Sequence, residues 1–270
     1  MTRAQLTQLI RERSSYLCVG LDPDLEKVPA GLGKEEDPLF AFNKVIIDAT
    51  RDLCVAYKIN TAFYECHGVP GWRAMERTAA YIGDSHFLIA DAKRGDIGNT
   101  STRYARAFFQ NLPFDAVTVA PYMGQDSVAP FLDFEGKWAI VLGLTSNPGA
   151  ADFEWQSMGD EKLYEKVIRT VSRWGTADNL MFVVGATQAS AFASVRKLAP
   201  EHFFLVPGVG AQGGSLKEIS EKALTPEGGI LVNVSRGIMY AEEGARQAAL
   251  SYQLEMKGYL DKILRVKIIE

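Results

Sequence analysis

Over 270 residues the chain has only three cysteines and three histidines. Cys18, Cys54 and Cys66 are odd in number and far apart, so they suggest no disulfide framework and no zinc spacing. Cys18 and Cys54 fall inside apolar runs, where cysteine usually packs as a small hydrophobe. Cys66-His67 could ligate a metal in principle, but no second pair completes a site. His86 and His202 each open an apolar run, which argues against a catalytic triad. Chemistry without a metal is the expectation. Also missing is any apolar run near the roughly 18 residues of a membrane helix. The opening MTRAQLTQLIRERSS is charged and amphipathic, without the apolar core or cleavage site of a signal peptide. Neither sign of charge dominates: 29 Lys+Arg against 33 Asp+Glu leave a net −4. That excludes a strong nucleic-acid footprint or a polybasic membrane patch. A cytoplasmic protein with no nucleic-acid or membrane partner is expected. No Pro/Gly/Ser linker, low-complexity tract or change of composition divides the chain, so residues 1–270 read as one domain.

What the chain does have is a run of short apolar segments. YLCVGL (16–21), CVAYKI (54–59), HFLIAD (86–91), AVTVA (116–120), WAIVLGL (138–144), MFVVGA (181–186), FFLVPG (203–208) and GILVNV (229–234) are continuous rather than alternating. Such runs suit strands of a parallel sheet covered on both faces. Between them lie segments of helical period: PLFAFNKVIIDATRDL, GWRAMERTAAYI, NTSTRYARAFFQNL, GDEKLYEKVIRTVSRW and QASAFASVRKLA. Eight strands alternating with helices are the pattern of an α/β fold, a (β/α)₈ TIM barrel. A doubly wound sheet with extra strands is the alternative.

Barrels of this kind carry their chemistry at the C-terminal ends of the strands. The polar residues there are Asp22, Lys58, the group Asp91, Lys93 and Asp96, then Ser146, Gln212 and Arg236, from six of the eight strands. In an extended strand alternate side chains share a face, so Asp91 and Lys93 should both face the barrel mouth while Ala92 faces away. Asp96 follows in a glycine-flanked loop (Gly95, Gly98) that can bend sharply. A rim salt bridge would explain any single Asp-x-Lys, but not Lys58 and Asp22 at neighbouring strand ends. Two unit charges about 4 Å apart interact by about 4 kcal/mol at an effective dielectric of 20. Crowded carboxylates therefore need interleaved cations. Such an array keeps a lysine protonated and aimed, ready to deliver a proton to a carbanion. Its field also repels a negative substrate group and favours that group's loss as a neutral molecule.

Gly208-Val209-Gly210-Ala211-Gln212-Gly213 reads literally as the G-x-G-x-x-G of dinucleotide sites. That fingerprint belongs on a first βα unit with a helix opening at once and an acid ending the next strand. Here it follows the seventh strand, Pro207 precedes it, Gly214-Ser215 delay the helix, and strand eight ends Asn233-Val234-Ser235-Arg236. The loops after strands seven and eight are where barrels commonly hold phosphate, and Arg236 can grip one with its planar fork. A solvated surface arginine and a loop glutamine without function remain the plainer readings of Arg236 and Gln212. Asn147-Pro148-Gly149 reads equally well as a mere turn, and Tyr64 and Glu65 read mainly as structural.

DAKRGDIGNT closely resembles the D-x-K-x-x-D-I-x-x-T signature of the orotidine 5′-phosphate decarboxylase family. In the same order, VGLDPD resembles its first-strand aspartate (Asp22) and AYKIN its second-strand lysine (Lys58). TSNPGA resembles its pyrimidine-reading serine (Ser146), VPGVGAQGG its loop from Pro207 to Gln212, and NVSRGI its phosphate-binding turn (Ser235, Arg236). The FYECHG and VGATQ segments are similar to the longer-chained bacterial branch of the family. One departure is Arg94-Gly95, where many members carry smaller apolar residues; it bears on local packing. The resemblance implies conversion of orotidine 5′-phosphate to UMP and CO₂, the last step of de novo UMP synthesis, with no cofactor or metal. Lys93 would protonate C6 of the pyrimidine, Asp91 would sit against the departing carboxylate, and Lys58 would hold both Asp91 and the ribose. Asp96 and Thr100 would come from the second subunit of a homodimer with shared active sites. A hydroxyl at Ser146, able to donate and accept, suits a pyrimidine amide edge.

Two other functions compete. Sugar-phosphate lyases that form an enediolate on magnesium use a similar D-x-K-x-x-D array, but they need a carboxylate such as a glutamate at the end of strand two. Here that strand ends Lys58-Ile59-Asn60. A non-catalytic nucleotide-binding barrel would not need an array built for proton delivery.

Overall fold

The fold rests on the eight apolar runs, all of which become strands in a computed structural model that describes residues 1–210 and 213–269. The strands are β1 (Leu17–Gly20), β2 (Ala56–Asn60), β3 (Phe87–Arg94), β4 (Ala116–Val119), β5 (Trp138–Leu144), β6 (Leu180–Val184), β7 (Phe203–Pro207) and β8 (Ile230–Val234). Each pairs in parallel with its sequence neighbours, and β1 pairs with β8, Leu17 opposite Val232, so the sheet closes into a barrel. Closure leaves no strand edge unpaired, and helices cover the outside, which is why the runs are apolar on both faces.

Each covering helix starts where the local chemistry permits. Asp37 caps the helix Pro38–Thr50 by accepting the Phe40 N–H at 3.0 Å, with Pro38 in the first turn where its missing N–H costs nothing. Ser215 caps Leu216–Ala223 through the Glu218 N–H. The segment 159–174 departs from its helical reading. Ser157–Met158 and Glu161–Lys162 form a small antiparallel hairpin turned at Gly159 (φ 68°), and the helix runs only from Leu163 to Val171. Glycine takes that left-handed geometry without a Cβ penalty, so the turn overrides the period of the residues around it.

The opening segment is a helix, Arg3–Arg13, that buries Leu6 and Ile10 and bonds through Arg3 to Ala177 and Glu227. Those contacts precede β6 and β8, so this helix lies across the N-terminal end of the barrel and leaves the opposite end for chemistry. At the same end Arg196 donates to the carbonyls of Ala199, His202, Ala223 and Gly229 with its guanidinium 3.8 Å from the Phe204 ring centre. His86 and His202 are buried there too, ahead of β3 and β7. Cys18 and Cys54 are buried thiols, and burial pushes Cys54 up to about 12. Among the described residues no helix is long and apolar enough to cross a membrane.

Candidate active site

The C-terminal ends of the strands surround a cavity of about 560 Å³. Lys58 lies at its base. Its side chain is 5% exposed, and its ammonium stands 3.0 Å from Asp91 Oδ2 and 3.7 Å from Asp22 Oδ1. Burial alone would lower the lysine, but the two carboxylates outweigh it and hold it above its ordinary range. Asp91 is the mirror case. Burial would raise its carboxyl, yet Lys58 and Lys93 hold it well below the usual carboxylate range. Lys93 Nζ donates to Asp91 Oδ1 at 2.7 Å, so Asp22, Lys58, Asp91 and Lys93 form a chain of alternating charge. Lys93 is the open end of that chain, with half its side chain exposed at the cavity.

Lys93 does not arrive there by strand alternation. Ala90 pairs with Val117 and Arg94 with Val119, so β3 advances four positions while β4 advances two. The surplus forms a bulge in which Lys93 takes φ 46°, the left-handed region that a non-glycine residue resists. Three contacts hold it. The Lys93 N–H donates to Thr118 Oγ1 at 2.9 Å. Gly95 passes so close to β4 that a Cβ would lie 2.9 Å from the Ala120 carbonyl oxygen. Arg94 turns away from the cavity, pairs with Glu65, donates to the Ala92 carbonyl at 3.0 Å, and lies 5.4 and 5.6 Å from the Tyr104 and Phe108 ring centres. The Arg94-Gly95 pair thus fastens the turn from outside, and Glu65 is its partner. Tyr64 is buried and donates to the Leu21 carbonyl beside Asp22, while Asp22 Oδ1 accepts the Asn60 N–H at 3.2 Å.

On the far wall Ser146, Pro207, Ser235 and Arg236 all line the same cavity. Gly20 permits this, because a Cβ there would stand 2.7 Å from the Ser235 Cβ. Gln212 lies outside the described residues. Asp96 and Thr100 do not line the cavity of their own chain. The Asp96 carboxylate accepts the Ile97 N–H at 2.8 Å, and Thr100 is exposed one helical step beyond. Neither His86 nor His202 reaches the cavity. Cys66 is exposed, and among the described residues no group of three or more His, Cys, Asp or Glu side chains could hold a metal ion.

A family model described as Orotidine 5′-phosphate decarboxylase / HUMPS family matches residues 15–252. The chain belongs to that family. An orotidine 5′-phosphate decarboxylase of Phocaeicola vulgatus is 53% identical over 270 residues, covering 98% of this chain and 99% of the relative. One of Flavobacterium johnsoniae is 54% identical, covering 97% and 99%. The structure of Leishmania donovani OMP decarboxylase superposes with a TM-score of 0.86 at 36% identity, covering 96% and 99%. As a member of the decarboxylase family the chain is a carboxy-lyase.

Sequence reading missed several residues in and around this cavity. Thr118 is the polar residue of an otherwise apolar β4, a signal that was available. Asn233 lines the cavity and accepts from the Cys18 thiol at 3.7 Å. Glu154 fixes the loop before Ser146 by accepting the Thr145 N–H at 2.6 Å and its hydroxyl at 2.8 Å. At the rim, Lys27 pairs with Asp24 at 2.8 Å, and the Asp24 N–H donates to the Tyr240 hydroxyl at 2.9 Å. The contact from Asp24 to Tyr240 spans more than two hundred residues of sequence, which no local motif reveals.

Proposed function

We propose that this chain decarboxylates orotidine 5′-phosphate to UMP without a cofactor, with Lys93 as the proton donor. The observation that carries the reading is the position of Lys58, whose ammonium lies between Asp22 and Asp91. Those carboxylates are thereby committed to a lysine, where a magnesium-dependent enediolate lyase would present them to a dication. Asp91 is ionised and held by donors on both oxygens, so a substrate carboxylate set against it is destabilised by like charge. When the bond from C6 to the carboxylate breaks, CO₂ leaves neutral and the electron pair stays on C6. Lys93 Nζ gives C6 a proton, and the neutral amine regains one from solvent. Asp91 and Lys58 keep the ammonium aimed, and Lys58 and Asp22 would hold the ribose.

Ser146 would read the pyrimidine edge, while Pro207, Gln212, Ser235 and Arg236 would form the phosphate end. Arg236 is suited to a phosphate by its fork of donors. Asp96 and Thr100 would complete the site of a second copy in a homodimer. Their absence from their own cavity supports this, as does the exposed apolar surface of Ile97, Tyr122 and Met123 on the adjoining loops.

The test is to mix the protein with orotidine 5′-phosphate and follow loss of the substrate's ultraviolet band, with and without prior EDTA treatment. Equal rates in both are expected. A rate abolished by EDTA and restored by magnesium would overturn the cofactor-free reading, and no turnover in either would overturn the reaction.

A further inference from the structure

β4 reads Ala116, Val117, Thr118, Val119, and Thr118 is 1% exposed. A hydroxyl so buried needs partners, because leaving its bonds unmade costs more than a made bond returns. Its partners are both in the reacting cluster. Thr118 Oγ1 accepts the Lys93 N–H at 2.9 Å and donates to Asp91 Oδ1 at 2.9 Å. Asp91 Oδ1 also accepts Lys93 Nζ at 2.7 Å. The contacts close a ring: Lys93 main chain, Thr118 hydroxyl, Asp91 carboxylate, Lys93 side chain.

The bulge explains why a hydroxyl is needed there. Doubling the advance of β3 over β4 leaves the Lys93 N–H without a ladder carbonyl, and Thr118 supplies the acceptor. A hydroxyl that accepts along one direction must point its single proton elsewhere, and here the other partner is Asp91. One atom therefore sets both the backbone turn that carries Lys93 and the oxygen on which the Lys93 ammonium rests.

We propose that Thr118 is a positioning residue for the proton transfer, fixing where the Lys93 ammonium stands relative to the reacting carbon. The inference rests on the reading of Lys93 as proton donor. Thr118 does not line the cavity, so it contributes to turnover and not to ligand contact.

The experiment compares wild type with Thr118→Val, which keeps the shape and loses the hydroxyl, and Thr118→Ser, which keeps the hydroxyl. Turnover and KM on orotidine 5′-phosphate, calorimetric binding of UMP, and thermal midpoint are measured for each. A misplacement of about 1 Å costs on the order of a hundredfold in rate. Thr118→Val should therefore lose about a hundredfold in kcat while its UMP dissociation constant stays within about threefold, and Thr118→Ser should recover most of the rate. Should Thr118→Val fail to fold, Thr118→Ala beside Thr118→Ser carries the same comparison. A Val or Ala variant with more than a third of wild-type kcat, a parallel loss of UMP binding, or a Ser variant as impaired as its partner overturns the inference. Those outcomes require an active wild type; a wild type that leaves orotidine 5′-phosphate untouched overturns the parent reading as well.

Discussion

Lys58 Nζ and Asp91 Oδ2 meet at 3.0 Å with side chains only 5% and 12% exposed. An ion pair so withdrawn from water is held together by the charges around it, and removing one member strands the others. Lys58→Ala should therefore cost about 3 kcal/mol of unfolding free energy as well as turnover, since Asp22 and Asp91 lose the cation between them. Denaturant unfolding of the variant against wild type checks this. An equally stable Lys58→Ala protein would show that the carboxylates tolerate each other without it.

Grip on the substrate should come substantially from its phosphate, far from the reacting carbon. Remote binding energy can be expressed in the transition state, so Arg236→Ala should lower kcat/KM by about 2–4 kcal/mol. Orotidine without its phosphate is the control. Wild type and variant should handle it equally poorly; a deficit of the same size on the truncated substrate would remove Arg236 from the phosphate site.

Sharing of Asp96 has an arithmetic signature. Lys93→Ala and Asp96→Ala homodimers should each be nearly inactive. After free exchange of equal amounts, about half the dimers are mixed, and each has one site with both residues intact. Roughly a quarter of wild-type activity should return, because a two-fold interface uses the same surface on both copies. With exchange verified by mass-tagged subunits, activity fixed at the parental level would mean Asp96 serves its own chain or none.

The two buried histidines should make the fold acid-sensitive. Burial, together with nearby arginines, lowers both His86 and His202 to about 4. Between the ordinary value near 6.5 and about 4 the unfolded chain binds protons that the folded one does not. Stability is therefore full above about pH 6.5, falls as pH drops towards 4, and loses nothing further from these groups below it. Each histidine contributes up to about 3 kcal/mol across that window. Among the described residues neither ring nitrogen of His202 has a hydrogen-bond partner, so His202→Leu removes a titrating group without breaking a bond there. Unfolding measured at pH 7 and pH 4.5 should show a smaller difference for this variant than for wild type. An unchanged difference would place the acid sensitivity elsewhere.

Much of this site was legible because strand ends in a parallel barrel are easy to find and their polar residues converge. Asp22, Lys58, Asp91, Lys93, Ser146 and Arg236 needed only the right strand count to fall on one cavity, whereas Pro207 and Ser235 came from the family resemblance alone. Lys93 faces the mouth beside Asp91 as alternation implied, but the bulge that carries it there was not legible, since alternation assumes an unbroken ladder and the bulge depends on what β4 offers opposite. Gly95 was its visible trace, read as loop flexibility when its role is close approach to Ala120. Thr118 escaped for the same reason: its neighbours in sequence are apolar, and its partners sit 25 and 27 residues away. The helix over 159–174 failed at its first turn, where Gly159 and a hairpin replaced a helical period.

The left-handed backbone at Lys93 sets the fold and the charge array against each other at one position. At most positions glycine is the less stable choice than alanine by about 0.5–1 kcal/mol; where φ is positive the order inverts. Lys93→Gly should thus outlast Lys93→Ala on heating, and the reverse order would deny the strain. A redesign guided by thermal robustness alone would choose glycine here and so remove the ammonium that rests on Asp91.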